Sequence, residues 1–127
     1  MSYFDHAARR LSGLQAEQRA ARFLKRQGLQ ILTRNFSCRF GEIDLIARDA
    51  GNCLVFVEVR SRQSQQFGGA LASVTAHKQA RVRRAAGYFI SSKPRLSTLA
   101  CRFDVVAIEA SRPAGKQEII WIKNAFY

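Results

Sequence analysis

The sequence predicts one α/β domain in an α+β arrangement, a sheet with helices packed on it, and three observations carry that expectation. Two β-rich runs, Gly41-Glu42-Ile43-Asp44-Leu45-Ile46 and Leu54-Val55-Phe56-Val57-Glu58-Val59-Arg60, flank Asp49-Ala50-Gly51-Asn52 as the arms of a hairpin would. Two further segments, 12–27 and 75–90, are rich in helix formers and place apolar residues at helical spacing. The chain has 127 residues and 47% hydrophobic content, enough for one core and too little for a second.

Each hairpin arm carries a carboxylate where a buried strand would not want one. In an antiparallel pair, directly opposed residues share a face, and a one-residue slip turns every side chain over. With Asp44 opposite Glu58, Ile43 meets Val59, Leu45 meets Val57 and Ala47 meets Val55, so one face is wholly apolar. The other face then holds Glu42 with Arg60, Asp44 with Glu58, and Ile46 with Phe56. Placing Asp44 opposite Val57 mixes charge into both faces, which burial penalises. The first register is therefore expected, with an odd-length loop or bulge in which Gly51 supplies the left-handed residue. Opposed carboxylates repel, so positive charge should lie between them. A divalent cation with oxygen ligands would serve, and so would Arg60. An ordinary ion-pair cluster of Glu58, Glu42 and arginines is the plainer account.

Charge narrows the function classes. Lys and Arg number 21 against 9 Asp and Glu, for a formal charge of +12 and a sequence pI near 10.8. An anionic partner is expected, nucleic acid first, because arginine forks match phosphate oxygens; a merely basic soluble protein is the alternative. Cys38, Cys53 and Cys101 are odd in number and widely spaced, which reads as buried or semi-buried thiols in a reducing compartment. With His6 and His77 they make no recognisable zinc spacing. No signal-peptide core and no run of membrane-spanning length is present, so a cytoplasmic location is expected.

Along the chain, residues 1–11 read as a loose basic arm or an extra helical turn on a single domain spanning 1–127. Ser12 to Gln15 has the spacing of a capping box, and Gly28 offers a stop. The inward stripe of this helix, Leu14, Glu17, Ala21 and Leu24, contains an acid. Glu17 is either a third carboxylate aimed at the sheet or a flank residue paired with Arg22 or another arginine. Leu29 to Leu32 is a short first strand, and 63–69 a polar loop suited to lying along a backbone. Thr75 caps a second helix that turns Val82, Ala85, Ala86 and Phe89 inward and gathers His77, Lys78, Arg81 and Arg84 outside. That basic stripe is either a phosphate contact or a solvated face. Segments 101–108 and 119–122 can pair as a second hairpin. Within it Asp104 is expected to be structural, bonded to an arginine or to backbone donors, and Trp121 belongs to core or rim rather than to a base-stacking platform.

Several of these stretches together resemble the YraN-like family of uncharacterised bacterial proteins, which is placed in the PD-(D/E)XK nuclease superfamily. The resemblance rests on Gly41 to Ile46, Phe56 to Arg60, Val74-Thr75 with Lys78-Gln79, and Arg102 to Val106, and spans most of the chain. It implies a restriction-endonuclease-like core similar to archaeal Holliday-junction resolvases: a helix, a three-stranded antiparallel run, a helix and a further strand. It also implies Mg²⁺ or Mn²⁺ held by Asp44, Glu58 and the Val59 carbonyl, with Glu17 assisting. The superfamily's lysine two residues after the Glu is Arg60 here. An arginine keeps its proton at physiological pH and cannot be a general base, but it can neutralise charge on a phosphate.

The expected function is thus metal-dependent endonuclease cleavage of DNA, with branched structures as the target that the fold analogy suggests and Asp44, Glu58, Arg60 and Glu17 as the catalytic set. Arg39, Arg62, Lys78, Arg81 and Arg84 would grip the phosphate backbone without reading sequence. A homodimer would suit a two-strand cutter. The rival class is a non-catalytic nucleic-acid-binding protein on the same scaffold, and an adaptor for RNA or the ribosome is a weaker third.

Overall fold

Among the described residues a five-stranded mixed sheet lies between two long helices, one on each face. The computed structural model describes the backbone of residues 3–62, 72–111 and 116–127, and the side chains of 13–61, 72–108 and 118–127. In chain order the elements are α1 (Tyr3–Arg26), β1 (Gln30–Cys38), β2 (Gly41–Arg48), β3 (Leu54–Arg62), α2 (Ala76–Ser91), a 3₁₀ turn (Pro94–Leu96), β4 (Cys101–Ser111) and β5 (Lys116–Phe126). Strand order follows chain order; every neighbouring pair is antiparallel except β3 and β4, which run parallel and are joined through α2. This α+β arrangement is consistent with a restriction-endonuclease-like fold. No helix among the described residues is long and apolar enough to cross a membrane.

Local sequence accounts for the helix ends. Gly28, at φ 93°, gives its N–H to the Lys25 carbonyl at 3.0 Å, and Leu29 gives its N–H to Leu24 at 3.0 Å. That pair of bonds needs a left-handed residue, which glycine adopts without steric cost, and it brings buried Leu29 back onto buried Leu24. Thr75 caps α2 by accepting from the Lys78 N–H at 3.3 Å. The other end of α1 lies before the expected cap at Ser12: the helix begins at Tyr3. Of the two readings of residues 1–11, the helical one therefore holds from Tyr3 onward and runs longer than one turn. Ala7, Ala8, Arg9, Arg10 and Leu11 are good helix formers, and one glycine at position 13 costs only about 1 kcal/mol.

Strand β3 is paired on both sides, and Leu54 to Val57 are fully buried. Such a strand reads as a continuous apolar run because both faces are covered. Val55, Val57 and Val59 pack with Ala20, Ala21 and Leu24 of α1, whereas Leu54 and Phe56 pack with Val82, Ala85 and Phe89 of α2. Each buried side chain contributes on the order of 1.5–3 kcal/mol relative to exposure. The first strand reaches Cys38, well beyond the Leu29 to Leu32 expected, because it pairs along the whole of β2.

The central hairpin keeps the expected register over part of its length: Leu45 opposes Val57, Ile46 opposes Phe56, Ala47 opposes Val55 and Arg48 opposes Leu54. Two details differ. The left-handed loop residue is Asn52, at φ 62°, and not Gly51; asparagine tolerates that region, and the Asp49 carboxylate closes the loop by accepting the Cys53 N–H at 2.9 Å. Ile43 does not join Val59 on one apolar face. It packs with Ile46 and Phe56 on the α2 side, while Leu45 and Val59 pack on the α1 side. The alternation breaks at Asp44, where the ladder between β2 and β3 has ended.

Asp104 is fully buried and accepts from Arg102 Nε (3.1 and 3.2 Å), Trp121 Nε1 (2.9 Å) and the Asn124 N–H (3.0 Å). It is structural, as its sequence context indicates. Trp121 lies edge-on to Phe23 with ring centroids 5.9 Å apart, at the rim of the α1-side core. The three cysteines are free, and Cys101 is exposed rather than semi-buried.

Candidate active site where two strands part

Beyond Leu45 and Val57, side chains take over the bonding between β2 and β3. The Asp44 Oδ2 accepts the Val59 N–H at 2.7 Å, and the Asp44 N–H is directed at Glu58 Oε2 at 3.3 Å. The strands diverge here because carboxylates, longer than a peptide carbonyl, bridge the gap. Asp44 and Glu58 line one open cavity of about 340 Å³ with Glu42, Arg60, Lys78 and Arg81, over a floor formed by Val82. Strands β2 and β3 bring the acids and Arg60; α2 brings Lys78 and Arg81.

Arg60 occupies the centre of this charge pattern. Its Nη1 donates to the Val59 carbonyl at 3.0 Å and lies 3.8 Å from Asp44 Oδ2, and its Nη2 lies 3.6 Å from Glu58 Oε1. Its Nε donates to Ser73 Oγ at 3.1 Å. One guanidinium therefore touches all three groups that the resemblance assigns to a metal ion.

Glu17 enters from α1 and comes near enough to the Asp44 and Asn35 side chains for each to alter its ionisation. It joins the carboxylates, and among the described residues no ion pair ties it to Arg22. Asn35 lies on β1 between residues paired with Ile43 and Leu45, and its φ of 53° is a conformation asparagine tolerates better than most residues.

Three clustered acids perturb one another. Burial, and then the charge of Asp44, push Glu58 up to about 8, against the opposing pull of Arg60. Burial and Asp44 push Glu17 up to about 7, while the Asn35 side chain acts the other way. Asp44 is also raised by burial, with the Val59 N–H and Arg60 opposing. The cluster is short of positive charge even with Arg60 in place.

Whether the residues suit a cation follows from the donors. Among the described residues, no three His, Cys, Asp or Glu side chains are grouped so as to hold a metal ion. Two carboxylates and a backbone carbonyl remain, all hard oxygen donors. That set fits Mg²⁺, which is bound through one or two carboxylates together with substrate phosphates rather than by a full protein cage.

The backbone-gripping candidates are not all gathered together. Lys78 and Arg81 line the cavity, Arg84 is exposed further along α2, and Arg39 stacks on Phe40 at the turn between β1 and β2. The Arg62 side chain and the polar loop at 63–69 lie outside the described residues. Asn35, Glu42 and Ser73 join the site although sequence reasoning did not single them out as site residues. Glu42 could have been found, since the expected register already set it opposite Arg60. Nothing in the sequence tied Asn35 to Glu17 or Ser73 to Arg60.

Residues 16–108 match the family described as "Uncharacterised protein family UPF0102", a span containing every side chain of this cluster. The chain belongs to UPF0102. Its curated relatives include a UPF0102 protein of Alcanivorax borkumensis, 51% identical over 118 residues and covering 91% of each chain. UPF0102 protein NE0719 of Nitrosomonas europaea is 50% identical over 114 residues, covering 90% of this chain and 92% of its own. UPF0102 protein PSEEN4497 of Pseudomonas entomophila is 48% identical over 115 residues, covering 91% and 92%.

Proposed function

We propose that this UPF0102 protein is a metal-dependent endonuclease that hydrolyses DNA phosphodiester bonds, with branched or irregular DNA as its substrate. One observation carries the reading: Asp44 and Glu58, taken from strands of the core, open into a common cavity also lined by Arg60, Lys78 and Arg81. Acids held at such cost to ionisation, beside cations that suit phosphate, are the pattern expected where charge must be neutralised on demand.

In this reading Asp44, Glu58 and the Val59 carbonyl hold the ion. A bound Mg²⁺ or Mn²⁺ would supply Lewis acidity at a phosphoryl oxygen and an acidified water. Glu17, beside Asp44, completes or orients the shell around the ion. Arg60 turns from the carboxylates toward the scissile phosphate, stabilising its charge without exchanging a proton. Lys78 and Arg81 position the strand, and Arg39, Arg62 and Arg84 extend the grip.

A second reading has its own support. Because Arg60 already touches both acids and the Val59 carbonyl, the site can be neutralised without metal. That favours a nucleic-acid-binding protein that does no chemistry. A screen of single-stranded, duplex, flap and four-way DNA, with and without Mg²⁺ or Mn²⁺, separates the two. The nuclease reading expects metal-dependent nicking that Asp44→Asn and Glu58→Gln abolish while binding persists. Salt-sensitive binding with no nicking on any substrate leaves the binding protein, and preference for RNA in competition redirects its target.

A further inference from the structure

We propose that Phe40 and Tyr88 form a stacking shelf for an unpaired nucleobase beside the Asp44 and Glu58 cavity. The proposal rests on the nucleic-acid reading above and names the substrate feature recognised: a base outside a duplex, next to the bound phosphate.

Phe40 sits in the short turn between β1 and β2, and Tyr88 projects from α2, with ring centroids 6.0 Å apart. Phe36 lies 6.4 Å from Tyr88 and packs edge-on against core Phe89 at 5.3 Å, so the outer rings stand on a fixed base. Tyr88 falls off the buried stripe of α2 and is 47% exposed. Arg39 lies over one face of Phe40, its guanidinium carbon 4.8 Å from the ring centroid, so a base stacking on that face meets a cation that it must displace or stack upon.

Arg81 joins shelf to cavity. Its Nε donates to the Phe40 carbonyl at 3.3 Å, and its side chain lines the cavity with Asp44 and Glu58. A strand whose phosphate rests on Arg81 therefore presents its adjoining base to Phe40 and Tyr88. Every base has a π face, so such stacking tolerates any sequence. A paired base keeps its faces inside the duplex stack and cannot use the shelf. The plain alternative makes these rings only the outer end of the α2-side core; it predicts no effect of Tyr88 on binding.

The test compares binding of the full-length protein, in chelator so that nothing is cut, to a blunt DNA duplex and to the same duplex bearing a single-stranded flap. The flap carries 2-aminopurine at its first unpaired position. The parent should bind the flap roughly tenfold more tightly than the duplex, with quenched 2-aminopurine fluorescence. Tyr88→Ala should lose most of that preference and the quenching while holding duplex affinity, Phe40→Ala should lose both along with part of the duplex affinity because Arg39 rests on that ring, and Tyr88→Phe should keep preference and quenching. Preference and quenching that survive Tyr88→Ala, or an equal loss of both affinities in variants with unchanged melting, would overturn the shelf. A parent that binds neither DNA removes the nucleic-acid reading and the shelf with it. Shelf-dependent flap binding without metal-dependent nicking keeps the shelf and discards the nuclease.

Discussion

Replacing Glu58 by Gln should flatten the pH dependence of stability in the metal-free protein. Glu58 is 6% exposed and its carboxyl is pushed up to about 8 from an ordinary 4.5. Between those values the folded state holds a proton that the unfolded chain has released. The stability tied to this group is complete below about pH 4.5 and is lost as pH rises toward about 8. At about 1.36 kcal/mol per pH unit, the loss by neutral pH is on the order of 3 kcal/mol, and less where Asp44 draws on the same proton. Glutamine cannot ionise, yet its carbonyl can accept the Asp44 N–H in place of Oε2. Urea unfolding in chelator, at intervals from about pH 5 to about pH 8.5, should show the parent losing on the order of 2–3 kcal/mol more than the variant. Glu17, pushed up to about 7, and Asp44 are raised in the same direction and remain in both proteins, so the variant should keep a slope of its own and only the difference between the two profiles reports Glu58. Excess Mg²⁺ at the upper pH should restore the parent and not the variant, because a ligand of the folded state alone stabilises it. Parallel profiles for the two proteins would refute the claim that these acids converge at a cost.

Four other outcomes follow from the same geometry. Arg60→Met should destabilise the protein by about 1–2 kcal/mol near pH 8 and less near pH 5, measured by urea unfolding, because it removes the cation between two acids. Asp104→Ala should cost on the order of 3–5 kcal/mol in the same measurement, since Arg102, Trp121 Nε1 and the Asn124 N–H lose their shared acceptor. Thr75→Ala should lower stability by about 1 kcal/mol through the lost cap of α2. Arg81→Ala and Lys78→Ala should each lessen the salt slope of DNA binding by about one unit without changing sequence preference, read from titrations at several salt concentrations.

Helix α2 was legible almost residue for residue, because its cap and the buried set Val82, Ala85, Ala86 and Phe89 follow a single period with no competing signal. The start of α1 was not, since a capping-box spacing at Ser12 lies inside a segment whose helix formers continue in both directions. The hairpin was legible from Leu45 to Leu54, where alternation and burial agree. It failed at Ile43, because Asp44 replaces a backbone acceptor with a side chain and so releases the next residue from the pleat.

By itself the sequence determined the α+β class, most of its strands and helices, a strong excess of positive charge and an acid on each arm of a hairpin, because these depend on local periodicity and composition. Only the tertiary structure decided that Glu17 reaches both Asp44 and Asn35, that Arg60 spans three oxygen-bearing groups, and that Arg81 links the cavity to Phe40. The partners come from separate elements, and a carboxylate's ionisation is set by every charge and donor around it. That sum exists only once the chain has folded.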